Sequence, residues 1–431
     1  MYFQSLLKRF LPRSIRNALH FFYAWWGAVK YRHPSEELLV IGVTGTSGKS
    51  STIYFLRQVL ESAGFRVGAL STLEFCVAGE CRLNDQKMTM LGRTGIQRYL
   101  RQMADAGCDI ALIETTSEGA VQHRHRFINY DVIALTNLYP EHIESHGSFD
   151  KYKKAKLGIF HAIARTRRKI LDGKTIEKTV IVNGDVKASA EFLAPPFDRR
   201  VRFSASDIAH MSHTREGLLF DAYEKEYETN VHGEYNAMNL LVVIHLARAA
   251  SLRDDEIKSG IEKLLPVPGR IEFIPEARAN GFEVIVDYAF EPVAMKELYK
   301  VVNLFSPKRV IHVFGSTGGG RDVSRRFTVG EFVGRHADIC IITDEDPYDD
   351  DPMAIIRDVA GAARAAGKRD NETLFIISDR GAAIKHAAAM ARTGDVVLIT
   401  GKGSEQAMVV KSELVPWDDR QKVRESLTRL R

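Results

Sequence analysis

Nine consecutive residues, Gly42-Val43-Thr44-Gly45-Thr46-Ser47-Gly48-Lys49-Ser50, carry the clearest chemistry in this chain. Glycines at every third position let a backbone fold tightly round an anion and turn its N–H groups inward. A lysine directly after the last glycine can reach the β- and γ-phosphates of a nucleotide, and the serine after it can ligate Mg²⁺. The plain G-x-x-x-x-G-K-[ST] expression fails, because Val43 stands where it needs glycine. A strand-to-helix turn with a chance lysine is the bland alternative. Gly-Lys-Ser placed between a strand and a helix argues for a phosphate site instead.

Such a loop works only where a strand delivers it and a helix receives it. Leu38–Ile41 reads as a buried parallel strand and Ser51–Ala63 as the helix. The rhythm continues, with strands expected at 109–113, 131–135 and 179–183 and helices at 93–106 and 152–164. This alternation predicts an α/β domain over 36–266 with a mostly parallel sheet and helices on both faces. Between Val201 and Val231 the pattern changes to short polar strands, expected as an antiparallel appendage. Helical spacing returns at 236–250 and 254–264. Pro266-Val267-Pro268-Gly269 reads as a linker. Beyond it, strands at 284–286, 309–314, 339–342, 374–377 and 396–399 predict a second α/β domain over 267–431.

A chain of 431 residues has room for two or three domains. Its net charge is +5, and much of the excess sits in the first 33 residues (Lys8, Arg9, Arg13, Arg16, Lys30, Arg32). The body is therefore near neutral, which argues against a nucleic-acid partner. Four scattered cysteines (Cys76, Cys81, Cys108, Cys340) supply neither a zinc site nor a disulfide framework, so reduced thiols in a cytoplasm are expected. Residues 1–35 form a segment of their own, an amphipathic helix that Pro34 should end. Its apolar run, Leu19–Val29, includes Trp25 and Trp26 and is followed by Lys30-Tyr31-Arg32-His33. That run is shorter than the ~20 residues a span requires, and no cleavage site follows it. Two readings stay open: peripheral membrane contact through residues 14–32, or packing on the body or a partner chain.

With its third-residue glycines the loop resembles the Mur ligase signature, and similar landmarks follow in the family's order from Gly42 to Arg420. The branch most alike adds the third residue of the peptidoglycan stem peptide. The resemblance implies a P-loop central domain and a C-terminal Rossmann-like α/β domain. It further implies ATP contacts at Gly45, Thr46, Ser47, Gly48, Lys49, Ser50, Ser51, Asn137, Asn236, Arg270 and Asp287. Glu114 of Ile113-Glu114-Thr115-Thr116-Ser117-Glu118 and His142 of Glu141-His142 would hold magnesium with Ser50. Lys156 matches the lysine that the family carbamylates, a change from cation to anion that would help position the metal. Lys49, Glu114, His142, Lys156 and Arg270 are the implied catalytic set. Substrate contacts are implied at Thr89, Ser117, Arg124, Asp346, Tyr348, Gly401 and Glu405, the last two in Gly401-Lys402-Gly403-Ser404-Glu405. Gly315–Arg326 resembles the family's glycine-rich segment in the last domain.

The resemblance thus implies an ATP- and Mg²⁺-dependent ligase joining a muramoyl-peptide donor to an amino-acid acceptor, working in the cleft between two domains. Its place would be the cytoplasm, with possible peripheral contact at the inner membrane face. Departures bear on substrate. Glu118 replaces a histidine, Glu141 an aspartate, and Phe290 a histidine. The Asp-Asn-Pro-Arg motif that selects meso-diaminopimelate reads Glu345-Asp346-Pro347-Tyr348, so the bidentate arginine clamp for a distal carboxylate is missing. Acidic groups at 344–346, 349–351 and 405 favour an amino acid with a distal amine. The family's N-terminal uridine-binding domain of ~100 residues has no counterpart, its place being taken by the short helix. A folylpolyglutamate- or cyanophycin-synthetase-like ligase and a non-catalytic, membrane-associated nucleotide-binding scaffold are the competing readings.

Overall fold

The computed structural model describes residues 12–428, apart from 87, 141–145, 321–322 and 412. The chain forms two compact units. One comprises residues up to 212 with 219–229 and 235–265; the other comprises 213–218, 230–234 and 266 onward.

The first unit opens with helix α1 (Arg13–Lys30), followed by strand β1 (Leu39–Thr44) and helix α2 (Lys49–Ser62). Next come β2 (Val67–Leu70), β3 (Glu74–Val77), β4 (Glu80–Leu83), α3 (Arg93–Asp105), β5 (Ile110–Glu114), α4 (Ser117–Val121) and β6 (Val132–Leu135). Then follow α5 (Phe149–Ala164), the short pair β7 (Ile170–Leu171) and β8 (Lys174–Thr175), β9 (Thr179–Asn183), α6 (Ser189–Leu193) and β10 (Arg199–Phe203). Eight strands make one sheet in the order β10-β9-β6-β1-β5-β2-β3-β4. The run β10 to β2 is parallel, while β3 and β4 add on antiparallel. Central β1 is apolar on both faces, as a strand covered by helices on both sides must be. Val40, Ile41 and Val43 are fully buried, each worth roughly 1.5–3 kcal/mol against exposure.

Two expectations need correction here. Strand 199–203 is not part of an appendage: it pairs with β9 in parallel register, Arg199 opposite Thr179. Its run of arginines hides this, because an edge strand has only one neighbour and its polar side chains can face water. The separate sheet is formed by β11 (Ile208–His213), β12 (Leu218–Ala222) and β13 (Lys225–Thr229) alone. The cysteines are not all reduced thiols either. Cys76 and Cys81 stand opposite each other across the β3–β4 hairpin and form a disulfide. Ala78 and Gly79, with φ of +51° and +89°, make the two-residue turn that brings them face to face. Cys108 and Cys340 are buried free thiols.

Helix α1 ends at Lys30, four residues before Pro34, where Arg32 and His33 adopt left-handed φ. It packs on α3 with its small residues, Ala24, Gly27 and Ala28, all buried. A Cβ on Gly27 would lie 3.1 Å from the Thr94 Cα, so the two backbones approach too closely for a larger residue. The opposite stripe, Ile15, Leu19, Phe22, Trp26 and Val29, is exposed. Among the described residues no helix is long and apolar enough to cross a membrane.

Helices α7 (Tyr235–Ala249) and α8 (Asp254–Glu262) complete the first unit. The second unit is built on β14 (Glu272–Phe273), β15 (Glu283–Asp287), α9 (Pro292–Leu304), β16 (Val310–Phe314), α10 (Ser324–His336), β17 (Ile339–Ile342) and α11 (Pro352–Ala365). It continues through β18 (Leu374–Ile376), α12 (Arg380–Met390), β19 (Val396–Thr400), the hairpin β20 (Ala407–Val410) and β21 (Glu413–Pro416), and α13 (Asp419–Thr428). Its six-stranded sheet runs β14-β15-β19-β16-β17-β18, parallel apart from β14.

Candidate active site

Three neighbouring strand ends converge at the glycine loop. β1 leads into the loop, β5 ends at Glu114 opposite Val43, and β6 ends beside Thr44 and leads to Thr136 and Asn137. Gly48, with φ +78°, begins α2, and a Cβ there would come within 2.2 Å of Asn239 Oδ1 on α7. A Cβ on Gly45 would sit 1.9 Å from Thr136 Oγ1. Only glycine fits either place. Asn137 Oδ1 accepts the loop N–H groups of Thr46 (3.0 Å) and Ser47 (2.9 Å), while Thr136 donates to the Ser47 carbonyl at 2.7 Å. Lys49 Nζ donates to the Thr46 carbonyl at 2.8 Å, and Ser51 is buried in the first turn of α2. Within α7, Asn236 accepts from the Asn239 amide at 2.8 Å, one turn along the helix whose Asn239 faces Gly48.

Ser50 Oγ donates to Glu114 Oε2 at 2.9 Å. Thr72 gives the same oxygen its N–H (2.8 Å) and its hydroxyl (3.0 Å), and that hydroxyl lies 2.9 Å from the Thr89 hydroxyl. Lys156, 1% exposed, donates to the Gly45 carbonyl (2.7 Å) and Thr44 Oγ1 (3.3 Å) and lies over the Tyr152 ring. Tyr152 OH donates to Thr46 Oγ1 at 3.1 Å. Inward amide N–H groups beside a carboxylate and a serine hydroxyl suit an anion and a hard cation held together, which is the donor set a Mg²⁺-bound phosphate needs. His142, the other expected ligand, and Glu141 lie outside the described residues.

Ser117 begins α4, with its hydroxyl 3.1 Å from His146 Nε2. Arg124 donates to Gln122 Oε1 (2.8 and 3.2 Å) and to the Met90 carbonyl. Arg93 donates to the Gln122 carbonyl at 2.7 Å. Burial, with Arg124 close by, pushes Arg93 down to about 10. Thr72, Arg93, Tyr152 and Asn239 are contacts that the sequence reading missed. Thr72 and Arg93 lie outside the quoted motifs and join the cluster only through tertiary contact.

In the second unit, Arg270 lies over the Tyr288 ring at 5.3 Å, with its Nε lacking a hydrogen-bond partner. Asp287 accepts the N–H groups of Ile271 (2.7 Å) and Ala289 (2.6 Å), capping the end of β15. Burial raises its carboxyl above the ordinary range. Buried Lys402 bridges Asp346 (2.9 Å) and Glu405, and Asp346 also accepts the Val409 N–H at 2.7 Å. Asp346 is thus already matched by a cation, which the sequence does not reveal. Tyr348 pairs with Val409 through its backbone N–H (3.1 Å). Of the acidic run, Asp350 holds the Gly319 N–H (3.2 Å) and Arg326 (3.3 Å), and Asp351 caps α11 through Met353 N–H (3.0 Å). Those two groups serve the fold.

Gly401, with φ +102°, would place a Cβ 2.2 Å from Glu345 Oε2. Burial pushes Glu345 up to about 7, against the opposing pull of Arg380 and Lys402. Because its folded pKa exceeds the ordinary 4.5, the folded chain binds an extra proton between these values, and stability falls as pH rises through that window. Glu345→Gln should therefore flatten the loss of Tm between pH 5 and 8, an effect on the order of 3 kcal/mol. An unchanged Tm-versus-pH profile would contradict the assignment.

The sequence matches the Mur ligase middle domain over residues 43–247 and the Mur ligase glutamate ligase domain over 269–403. It is 34% identical over 416 residues to a UDP-N-acetylmuramyl-tripeptide synthetase of Roseiflexus sp. (strain RS-1), covering 94% of this chain and 81% of that one. It is 30% identical to a UDP-N-acetylmuramoyl-L-alanyl-D-glutamate--2,6-diaminopimelate ligase of Geobacillus thermodenitrificans (strain NG80-2), covering 90% and 79%. The fold is shared with a solved folylpolyglutamate synthase of Mycobacterium tuberculosis, at TM-score 0.67 and 16% identity over 89% of this chain and 92% of that one. The chain belongs to the Mur ligase family, ATP-dependent, ADP-forming enzymes that make amide bonds.

Proposed function

We propose that this chain joins the carboxylate of a muramoyl-peptide donor to the amine of an amino acid, in peptidoglycan precursor synthesis. The reading rests above all on Ser50 and Glu114, 2.9 Å apart beside a loop that ends in Lys49. A carboxylate in water is a poor acylating agent. Attack of its oxygen on the γ-phosphorus of ATP breaks the bond to ADP and forms an acyl phosphate. The amine then attacks the carbonyl carbon, loses a proton, and phosphate leaves. Phosphoryl transfer depends on positioning and charge neutralisation. The N–H groups of Gly45, Gly48, Ser50 and Ser51 hold phosphate oxygens, those of Thr46 and Ser47 being kept by Asn137, and Lys49 leaves the Thr46 carbonyl to neutralise the γ-phosphate. Ser50, Glu114 and His142 would hold magnesium, which would supply further charge neutralisation.

Lys156 acts as a carbamate in this reading: carbamylation leaves one N–H for the Gly45 carbonyl and adds an anion beside the metal. Asn137 and Asn236 serve the nucleotide, as do Arg270 and Asp287 of the second unit. Thr89, Ser117 and Arg124 hold the donor. Lys49→Ala should abolish ATP-dependent phosphate release while the circular dichroism spectrum stays unchanged. Lys156→Ala should reduce release by at least a hundredfold, with partial rescue by short-chain carboxylates. Full activity in either variant would remove the mechanism.

The amino acid carries a distal amine, such as lysine or ornithine, and is met by Asp346, Tyr348, Gly401 and Glu405. Two carboxylates, Asp346 and Glu405, share one lysine, and Arg380 is matched by Asp419 at 2.7 Å, so negative charge is in surplus. In a competition assay lysine should outcompete meso-diaminopimelate; preference for the latter would sink the idea.

The outward face of α1 makes a peripheral contact with an anionic membrane surface. Exposed Trp25 and Trp26 suit the headgroup boundary, and Arg16, Lys30 and Arg32 flank them. Intact protein should co-float with anionic liposomes. Trp25→Ala/Trp26→Ala should lose this at unchanged Tm, since both side chains are exposed. Failure of the intact chain to bind would end the membrane reading.

A further inference from the structure

A pocket of about 350 Å³ lies in the first unit, away from the phosphate loop. Phe21 of α1, His33 and Glu36 ahead of β1, residues 125–129, and Ala162, Ile163, Thr166 and Arg167 at and just past the end of α5 form its wall. The loop sits at the C-terminal end of β1, whereas His33, Glu36 and Asn129 precede the strands β1 and β6. The six residues of β1 therefore separate the two sites, a distance on the order of 20 Å.

His125 distinguishes this pocket. It is 6% exposed, and neither ring nitrogen has a hydrogen-bond partner. Burial pushes its pKa down to about 3, so at neutral pH the ring offers one donor and one acceptor. Two further polar groups of the wall are committed. The Asn129 amide bonds to Glu36, the Arg167 carbonyl and Lys178, and the Thr166 hydroxyl donates to the Ile163 carbonyl at 2.7 Å. A buried donor and acceptor left unmet are destabilising. A hydrocarbon chain would seal that cost in; a ring with its own donor and acceptor would relieve it. Phe21 and Phe127, with ring centroids 5.1 Å apart, offer aromatic surface for such a ring. At the rim stand Arg126 and Arg167, and Glu36 at 3.3 Å offsets Arg167. Two arginines against one glutamate leave one positive charge.

We propose that this pocket binds a planar, hydrogen-bonding heterocycle carrying an anionic group, of nucleoside-monophosphate size, at a site separate from the phosphate loop. His125 reads the ring edge, the aromatic wall takes its face, and Arg126 meets the anion. The pocket falls within the ~300–1,000 Å³ that small-molecule sites occupy.

The test is calorimetric titration of the full chain, saturated with Mg²⁺ and a non-hydrolysable ATP analogue, with each of the four ribonucleoside 5′-monophosphates. Inorganic phosphate and the free nucleosides serve as controls. At least one monophosphate should bind with 1:1 stoichiometry and more tightly than its nucleoside. His125→Phe, which keeps a buried ring but removes both nitrogens, should weaken that binding at least tenfold. Arg126→Ala, a change at an exposed position, should weaken it severalfold. The proposal is overturned if no monophosphate binds in the presence of the analogue, if phosphate alone binds as well, or if His125→Phe binds unchanged. It is equally overturned if His125→Phe raises Tm without affecting any ligand, which would mark the histidine as a packing defect.

Discussion

The first unit is organised round how closely other backbone and side-chain atoms approach Gly45 and Gly48. Thr136 and Asn239 fill the space where a Cβ would stand, and that contact fixes the loop against β6 on one side and α7 on the other. Once the loop is pinned there, its N–H groups, Lys49 and Ser50 share one end of the sheet with Glu114 and Lys156. Parallel strands all finish at that end, so residues more than sixty positions apart meet within hydrogen-bond distance. The buried charge of Lys156 is tolerable because a carbonyl, a hydroxyl and an aromatic face surround it.

A similar constraint governs the second unit. Gly401 and Gly403 allow the chain after β19 to run against Glu345 and against Gly269 and Tyr288. That brings Lys402 into the interior between Asp346 and Glu405, and Arg380 into a fully buried pair with Asp419. Burying charges costs several kcal/mol per ion unless partners compensate, so these carboxylates were placed by the fold as much as by any ligand. What they present to a substrate is the surplus left after Lys402 and Arg380 are counted.

The N-terminal helix shows one segment meeting two demands. Its small residues lie on α3 at near backbone contact, while Phe22 and Trp26, the latter at 41% exposure, point away. Packing on the body and leaving an apolar stripe outward are compatible in this helix. They use opposite sides of the same helix.

The sequence alone determined the glycine loop and the alternation of strands and helices, because loop geometry and strand burial depend on neighbours a few positions away. The order of its motifs gave the kinship of the chain, and only that resemblance marked Glu114 and Lys156 as residues to watch. Tertiary structure decided the rest. It drew Thr72 onto Glu114 and Arg93 beside Arg124, and it matched Asp346 with Lys402. It placed 199–203 in the main sheet and set Cys76 opposite Cys81. It also left His125 unpartnered in a pocket at the far end of the strands. Each of these depends on which distant groups share a buried volume, and charge pairing, strand partnership and polar satisfaction in that volume are settled only when the chain closes on itself.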